Sequence, residues 1–154
     1  MVVPTLEHAS PTDPEAMALI KELNTYLDGL YSPDANHFSL EADEVTGSSG
    51  VFLLARIEGR PVGCGAVRMI GDTEAEVKRM YVRPEARGKG VGAVILARLE
   101  DEARSRGARR MLLEMGADQP EAQALYRRFG FRPVPCWGEY IRTIETSVCL
   151  GKDL

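Results

Sequence analysis

The sequence predicts a mixed α/β (α+β) domain organised around a central sheet. Segments with the alternation or the short apolar runs of strands are concentrated in the first half of the chain, and the second half reads β-α-β-α-β. The 154 residues match the size of one ordinary domain, and no long linker divides them. We therefore expect residues 1–154 to form a single domain with one core.

The first half of the chain begins with a short strand at residues 2–7, followed by a helix. Turn-forming residues at 10–14 precede a stretch in which apolar residues recur three and four positions apart, as in an amphipathic helix: Met17, Ile20, Leu23, Leu27 and Leu30. Residues 32–50 are polar and rich in turn formers, which predicts a long loop with a short helical piece. Three strands separated by tight turns are expected at 51–57, 62–70 and 74–82.

The second half of the chain alternates strands with helices. A helix is expected to begin after the glycine-rich stretch at 87–92 and to end before Gly107, and one of its faces is apolar: Val91, Val94, Ile95, Leu99 and Ala103. The remaining predicted elements are a strand at 110–115, a helix at 120–129 and two strands at 130–134 and 146–150.

Charge is spread unevenly along the chain, whose formal net charge is −4. Residues 1–60 hold ten acidic and three basic side chains, whereas residues 78–110 hold ten basic and four acidic ones. The overall acidity argues against a nucleic-acid partner, and the basic stretch predicts a localised anion site. No apolar run approaches the roughly 20 residues that cross a bilayer, and no secretory leader is seen. We therefore expect no membrane partner and a cytoplasmic location.

The cysteines and histidines are few and scattered. Cys64, Cys136 and Cys149 are odd in number, and no two lie within ten residues of each other, which fits a reducing compartment. Each is expected to be a small buried hydrophobic residue rather than a nucleophile. His8 and His37 are isolated, so we expect no metal.

A glycine-rich turn lies between the strand predicted at 74–82 and the following helix. Its sequence is Arg87-Gly88-Lys89-Gly90-Val91-Gly92-Ala93, and the alternating glycines let a ligand approach the backbone closely. The first turn of a helix presents unpaired N–H groups and a partial positive charge, to which Arg87 and Lys89 add full charges. This combination predicts a pyrophosphate site, and a turn that binds nothing is the alternative.

The same turn partly matches a dinucleotide-binding fingerprint. A nucleoside-triphosphatase P-loop is excluded, because no Gly-x-x-x-x-Gly-Lys-Ser/Thr is present. Gly88, Gly90 and Ala93 have the spacing of the dinucleotide fingerprint, and Glu114 lies 21 residues beyond, near the expected ribose-binding acid. The charged pair at 78–79 argues against it, because a central Rossmann strand is nearly all apolar. Only 61 residues follow Ala93, which is few for further βα units.

Two segments of the chain together carry a family resemblance. Arg87, Gly90 and Gly92 fill the pattern Arg/Gln-x-x-Gly-x-Gly/Ala, and residues 124–131 read Ala-Leu-Tyr-Arg-Arg-Phe-Gly-Phe. The first segment resembles motif A, and the second motif B, of the GNAT superfamily of N-acetyltransferases. The motifs stand at the superfamily's usual separation, and the resemblance covers essentially the whole chain. The sequence is therefore identified as a small single-domain member of this superfamily.

The resemblance implies a fold and an acyl donor. The fold would be a mostly antiparallel, twisted sheet of six or seven strands with a splayed parallel pair, at 74–82 and 110–115, flanked by about four helices. The donor would be acetyl-CoA, with its pyrophosphate on the turn at 87–93. The pantetheine arm would lie along the end of the preceding strand, at Met80, Tyr81 and Val82. Pantetheine carries two amide groups, which an unpaired strand edge can hold.

The resemblance also implies direct transfer of an acetyl group to a primary amine. Tyr126 in motif B matches the superfamily's usual general acid, and a phenol can protonate the departing thiolate at neutral pH. Glu76 lies at the offset of the glutamate base in the histone-acetylating branch, and Glu114 or a chain of waters are the alternatives. A main-chain N–H near Val82 would hold the developing oxyanion.

The acceptor is expected to be a small molecule, an amino acid or a peptide. The acidic first 60 residues favour a cationic one. In similar acetyltransferases two segments shape the choice of acceptor, and they correspond here to residues 26–38 and 137–140. The protein is expected to be a monomer or a homodimer. A dinucleotide-dependent oxidoreductase and a non-catalytic acyl-CoA sensor are the alternative functions.

Overall fold

The computed structural model describes residues 3–30, 40–145 and 147–154. The strands in these residues are β1 Thr5–Ala9, β2 Gly50–Ile57, β3 Arg60–Met69, β4 Glu74–Val82, β5 Arg110–Gly116, β6 Arg132–Pro133 and β7 Ser147–Asp153. They form one sheet in the order β1-β2-β3-β4-β5-β7-β6. The α-helices are α1 Pro14–Leu30, α2 Val91–Ser105 and α3 Pro120–Arg128. Short 3-10 segments occur at Ala42–Val45, Pro84–Ala86 and Gly138–Thr143.

The predicted element types and the mixed α/β class are confirmed, and the differences lie at the ends of elements. β7 extends to Asp153, beyond the predicted end at 150, because it pairs with the whole of β5. β6 is only Arg132–Pro133, shorter than the predicted strand at 130–134, although the Val134 N–H still donates to the Cys149 carbonyl of β7 just beyond it. Three α-helices lie in the described residues, where about four were expected. The predicted loop at 32–50 contains a 3-10 segment, and its residues up to 39 lie outside the described part.

The sheet separates two apolar clusters. The apolar side of α2 packs on one face of the sheet, and α1 packs on the other through Leu19 and Leu23. Alternate residues of a strand point to opposite faces. Ala75 and Val77 of β4 belong to the α2 cluster, so Glu76 between them faces the opposite side. In the described part of the chain, every helix falls short of the length or the apolar character that a membrane span requires.

The parallel neighbours β4 and β5 separate partway along their length. Their pairing runs from Glu74–Arg110 to Val77–Leu113. Beyond that point β4 continues to Val82 beside β3, and β5 continues to Gly116 beside β7. The end of β4 therefore has one edge with which no other described strand pairs, and a cleft opens beside it.

A β-bulge bends β4 just beyond this separation. Its register with β3 shifts between Cys64 and Ala66, and Arg79 has a left-handed φ of 59°. Gly65 packs against the bulge, and an added Cβ there would lie 2.6 Å from the Met80 sulfur. A glycine in β3 is therefore what allows the bulged strand to keep Met80 in the α2 cluster.

Candidate active site

A cleft of about 500 Å³ lies beside the free end of β4. Its walls are the end of β4, the glycine turn, the first turn of α2 and much of α3. All the predicted cofactor-binding residues except Lys89 line it: Met80, Tyr81, Val82, Arg87, Gly88, Gly90, Val91, Gly92 and Ala93. The predicted general acid Tyr126 lines it as well. The fold thus brings the two sequence motifs together around one cavity.

The glycine turn presents bare backbone to this cleft. Gly88 and Gly90 have left-handed φ angles of 77° and 79°, and an added Cβ at either position would meet nothing within 4 Å. The Val94 N–H donates to the Gly90 carbonyl at 3.1 Å, so the amides of residues 91–93 precede the helical ladder of α2. The turn therefore has both the donors and the space that a pyrophosphate needs.

Arg87 fastens the turn to the end of β4. Its Nε donates to the Val82 carbonyl at 3.0 Å, and its guanidinium carbon lies 5.9 Å from the ring centroid of Tyr26 and 6.0 Å from that of Tyr81. The Tyr81 hydroxyl in turn donates to the Glu22 carboxylate of α1 at 3.1 Å. Arg87 therefore holds the shape of the cleft as well as contributing positive charge to it.

Tyr126 reaches the cleft from α3 in a nearly dry environment. Its side chain is 7% exposed, and its ring packs edge-to-face on Phe131 with centroids 5.8 Å apart. Burial raises the pKa of Tyr126 well above its usual range, because the phenolate would be poorly solvated there. The phenol is therefore protonated throughout the neutral range and can act as a proton donor.

The cleft has further lining residues that the sequence reasoning missed. They come from α1, from the segment before the turn and from the region of α3: Leu23, Ala86, Gln119, Pro120, Glu121, Ala122, Leu125 and Arg128. Tyr26, which was named only as part of the segment that shapes acceptor choice, lines the cleft as well. Ala122 lies one helical turn before Tyr126, so helical periodicity was a usable signal for it. Leu23 and Tyr26 reach the cleft only because α1 packs beside β4, and that contact has no local signature.

Glu76, predicted as a candidate base, is buried in a network of ion pairs and does not line the cleft. It is 1% exposed. Its Oε1 accepts from Arg68 Nε at 3.1 Å and Nη2 at 2.9 Å, and its Oε2 accepts from the Tyr140 hydroxyl. Arg68 also pairs with Glu44 of the 3-10 segment Ala42–Val45. Both oxygens of Glu76 are thus engaged by protein groups.

Glu114, the alternative base, does not line the cleft either, but it is less enclosed than Glu76. It lies near the end of β5, half-buried, on the same sheet face as Glu76. The Ser147 hydroxyl donates to its Oε2 at 2.6 Å. Burial raises the pKa of Glu114, and the hydrogen bond from Ser147 opposes that shift only in part. Glu114 combines a raised basicity with partial access to solvent.

The structure corrects the prediction made for two of the cysteines. Cys136 and Cys149 form a disulfide, with Cα atoms 5.3 Å apart, instead of packing as separate hydrophobic residues. The Val134 N–H donates to the Cys149 carbonyl at 3.0 Å, so the chain after β6 runs beside β7 and brings the two sulfurs together. Cys64 is buried as predicted, and burial raises the pKa of its thiol to about 12.

Two alternatives from the sequence can be compared with this geometry. A dinucleotide-binding fold needs a run of parallel strands, whereas β4–β5 is the single parallel pairing among the described strands. The dinucleotide interpretation is therefore wrong at the level of the fold. In the described residues, no group of three or more His, Cys, Asp or Glu side chains is placed to hold a metal ion.

Comparison with known proteins places these features in context. Residues 16–131 match the model of the family described as Acetyltransferase (GNAT) family. An IAA acetyltransferase of Azospirillum brasilense is 42% identical over 139 residues, which cover 88% of this chain and 89% of that protein. Aminoglycoside N(6')-acetyltransferase type 1 of Stenotrophomonas maltophilia is 30% identical over 141 residues, which cover 83% of this chain and 86% of that protein.

Solved structures share the architecture over nearly the whole chain. One is a crystal structure from Klebsiella pneumoniae subsp. pneumoniae, of a protein whose name gives acyl-CoA N-acyltransferase as its assumed activity. It superposes with a TM-score of 0.84 at 31% identity and covers 99% of this chain and 98% of that one.

Proposed function

The chain belongs to the acetyltransferase (GNAT) family and is an N-acetyltransferase, and from this premise we propose that it transfers an acetyl group from acetyl-CoA to a primary amine by direct attack. The observation that carries the proposal is a single cleft shared by the unpaired edge of β4, the glycine turn and Tyr126. Acetyl-CoA would supply the acyl group as a thioester.

The residues of the cleft fit this donor. The left-handed glycines at 88 and 90 leave space where side chains would stand, and the amides at 91–93 would bind the pyrophosphate. The free edge of β4 at residues 80–82 offers main-chain groups to the two amides of pantetheine. A main-chain N–H near Val82 would stabilise the charge that develops on the acyl oxygen.

We propose Tyr126 as the general acid. A thiolate leaves more readily when a positioned donor protonates it, and the buried phenol retains its proton for that step. Its place on α3, across the cleft from the end of β4, supports the assignment.

Removing a proton from the acceptor is the other half of the chemistry. An alkylamine has a pKa of about 10.4, so deprotonating it at pH 7 costs about 4.6 kcal/mol. Of the two candidates, Glu114 suits the role better, because Arg68 and Tyr140 occupy both oxygens of Glu76. We therefore propose Glu114 as the proton acceptor, directly or through water, and Glu76 as a nearby buried carboxylate whose negative charge contributes to the raised pKa of Glu114.

The acceptor class is proposed as a primary amine on a small molecule, an amino acid or a peptide. The name of the Stenotrophomonas relative gives an aminoglycoside as its substrate, which supports a small, cationic acceptor.

The oligomeric state, monomer or homodimer, and a cytoplasmic location remain predictions. The disulfide argues against the reducing-compartment interpretation of the cysteines.

The test begins with ligand binding. In calorimetric titrations of the full chain we expect acetyl-CoA to bind and NAD to give no signal. A thiol-release assay across a library of amines should then show turnover with at least one of them. Binding without release of thiol from any amine would identify a sensor, and absence of acetyl-CoA binding would overturn the proposal.

Tyr126→Phe tests the acid separately. We expect kcat to fall about 100-fold or more, because protonation of the leaving thiolate is lost, with an unchanged Kd for acetyl-CoA. Tyr81→Phe is the matched control, since its hydroxyl bonds to Glu22 and should leave kcat within about twofold. Full turnover by Tyr126→Phe would mean that another group donates the proton.

A further inference from the structure

Two contacts of the loop between β6 and β7 tie it to the strands that carry the candidate bases. One is covalent, the disulfide from Cys136 at the start of the loop to Cys149 in β7. The other is the hydrogen bond from Tyr140 in the 3-10 segment Gly138–Thr143 to the Glu76 carboxylate of β4. Tyr140 is 3% exposed, so the loop is packed down onto the sheet at this point.

These two attachments sit beside the carboxylates on the acceptor face. Cys149 is the direct register partner of Glu114, so their side chains share one face of the sheet. Tyr140 holds Glu76, and Ser147, which begins β7 two residues before Cys149, holds Glu114. Both candidate bases are therefore positioned by groups in or next to the segment that the disulfide closes.

We propose that the Cys136–Cys149 disulfide is a redox-sensitive clamp that positions the β6–β7 loop on the acceptor side, so that its reduction by a dithiol weakens acceptor binding and leaves acetyl-CoA binding unchanged. This inference rests on the proposed acetyl transfer for its effect on the acceptor. The opening of the clamp itself does not depend on that activity.

The exchange has a defined direction, because the two cysteine residues differ in exposure. Cys136 is half-buried, whereas Cys149 is 5% exposed, so an incoming thiolate attacks the Cys136 sulfur. The S–S bond breaks, and the Cys149 sulfur leaves as a thiolate and takes up a proton. The second thiol of the reductant then displaces Cys136 as a thiol. The protein disulfide thus gains two electrons and two protons, and the dithiol becomes a disulfide.

The consequence follows from the loss of the covalent anchor of the loop. The intact disulfide closes a loop of 14 residues, 136–149, and so restricts the positions that Tyr140 can occupy. Once the disulfide is reduced, the contact of Tyr140 with Glu76 is no longer reinforced by a covalent link. None of the described residues of the loop lines the cleft formed by the glycine turn and the edge of β4. The acceptor side is therefore the side that responds.

Trp137 provides a readout that needs no substrate. It is the only tryptophan of the chain, it follows Cys136 directly, and its ring lies edge-to-face on Tyr140 with centroids 5.2 Å apart. A neighbouring disulfide quenches indole fluorescence. We expect the addition of a dithiol under native conditions to raise the Trp137 emission, and reoxidation to restore the original signal.

The same samples give a thiol count and kinetics. Denatured protein should show one thiol before reduction, that of Cys64, and three after it. The KM for the acceptor should rise roughly threefold to tenfold on reduction, with the calorimetric Kd for acetyl-CoA unchanged. Cys136→Ser should show the high acceptor KM without reductant, and Cys64→Ala, which keeps the disulfide, should retain the full redox response.

Three outcomes would overturn the clamp. These are three thiols in protein prepared without reductant, no change of Trp137 emission or acceptor KM on native reduction, and an equal loss of acetyl-CoA affinity. If Cys136→Ser fails to fold, reduction of the unaltered chain still decides. If no amine is acetylated, the proposed function fails, and Trp137 emission with the thiol count alone decides whether the clamp opens.

Discussion

The two sides of the gap between β4 and β5 differ in the groups that form them, backbone on one side and side chains on the other. The side proposed for acetyl-CoA is made largely of backbone, from the free edge of β4, two left-handed glycines and the first amides of α2. The side proposed for the acceptor is made of side chains held by one another, with Glu76 and Glu114 at its centre. Backbone groups can bind the same acyl donor whatever the side chains are, so they suit a donor that many sequences share. Side chains can be replaced one at a time, so they suit adaptation to a particular acceptor.

The largest effect expected from this contrast is on stability, at Glu76. Glu76→Gln leaves Arg68 with one carboxylate fewer in a buried setting, so the free energy of unfolding should fall by about 3 kcal/mol. Urea denaturation of the variant and the parent measures it. The Kd for acetyl-CoA should stay unchanged at temperatures where the variant is folded.

Glu7→Gln is the matched control for Glu76. Glu7 also pairs with an arginine of a neighbouring strand, at 2.6 Å from Arg56 Nε, but its side chain is 50% exposed. Its loss should change stability by no more than about 0.5 kcal/mol. If Glu76→Gln lost no more stability than this control and instead abolished turnover, Glu76 would be the base after all.

The next effect tests the backbone side, at Gly90. Gly90→Ala places a Cβ where the donor pyrophosphate would lie and strains a left-handed residue, so the Kd for acetyl-CoA should rise about tenfold. Gly59 in the β2–β3 turn has the same φ of 79° and the same open surroundings. Each of the two alanine variants should therefore lose roughly 1 to 2 kcal/mol of stability through strain at a left-handed residue. Gly59→Ala should leave the Kd for acetyl-CoA unchanged.

The comparison between these two alanine variants separates strain from ligand contact. Equal weakening of acetyl-CoA binding in both would show that the turn acts through general stability. If neither variant weakened acetyl-CoA binding, the pyrophosphate would not lie on the glycine turn.

The smallest effect expected is a shift in the pH profile. A base works when deprotonated, and burial raises the pKa of Glu114, so activity should be lost on acidification at a pH above the usual range of a glutamate. Ser147→Ala removes a hydrogen bond that favours the carboxylate, so the acidic limb of kcat should move to still higher pH. Glu114→Gln should remove the limb altogether. A limb that neither variant alters would assign the base elsewhere.

Much of this architecture was predictable from local sequence. The apolar periodicity of each strand and helix lies within its own segment, so these elements could be predicted locally. The glycine turn before Val91 is also a local motif, so the donor cleft could be predicted from it. The pairing of Glu76 with Tyr140 joins residues 64 apart, and the disulfide depends on β7 running beside the chain after β6. Such contacts have no local signature, which is why the partners of Glu76 and the disulfide were missed, although Glu76 and Glu114 themselves were named as candidate bases.

The position of the free β4 edge has a bearing on how the protein avoids self-association. An open strand edge at the margin of a sheet is a template for a strand of another molecule, and it invites aggregation. Here the open edge lies in the interior of the sheet, with β5 and β7 continuing beyond the gap and α3 forming the opposite wall. A strand of another molecule would have to enter the cleft between β4 and α3 to pair with this edge, which shields the edge from such pairing.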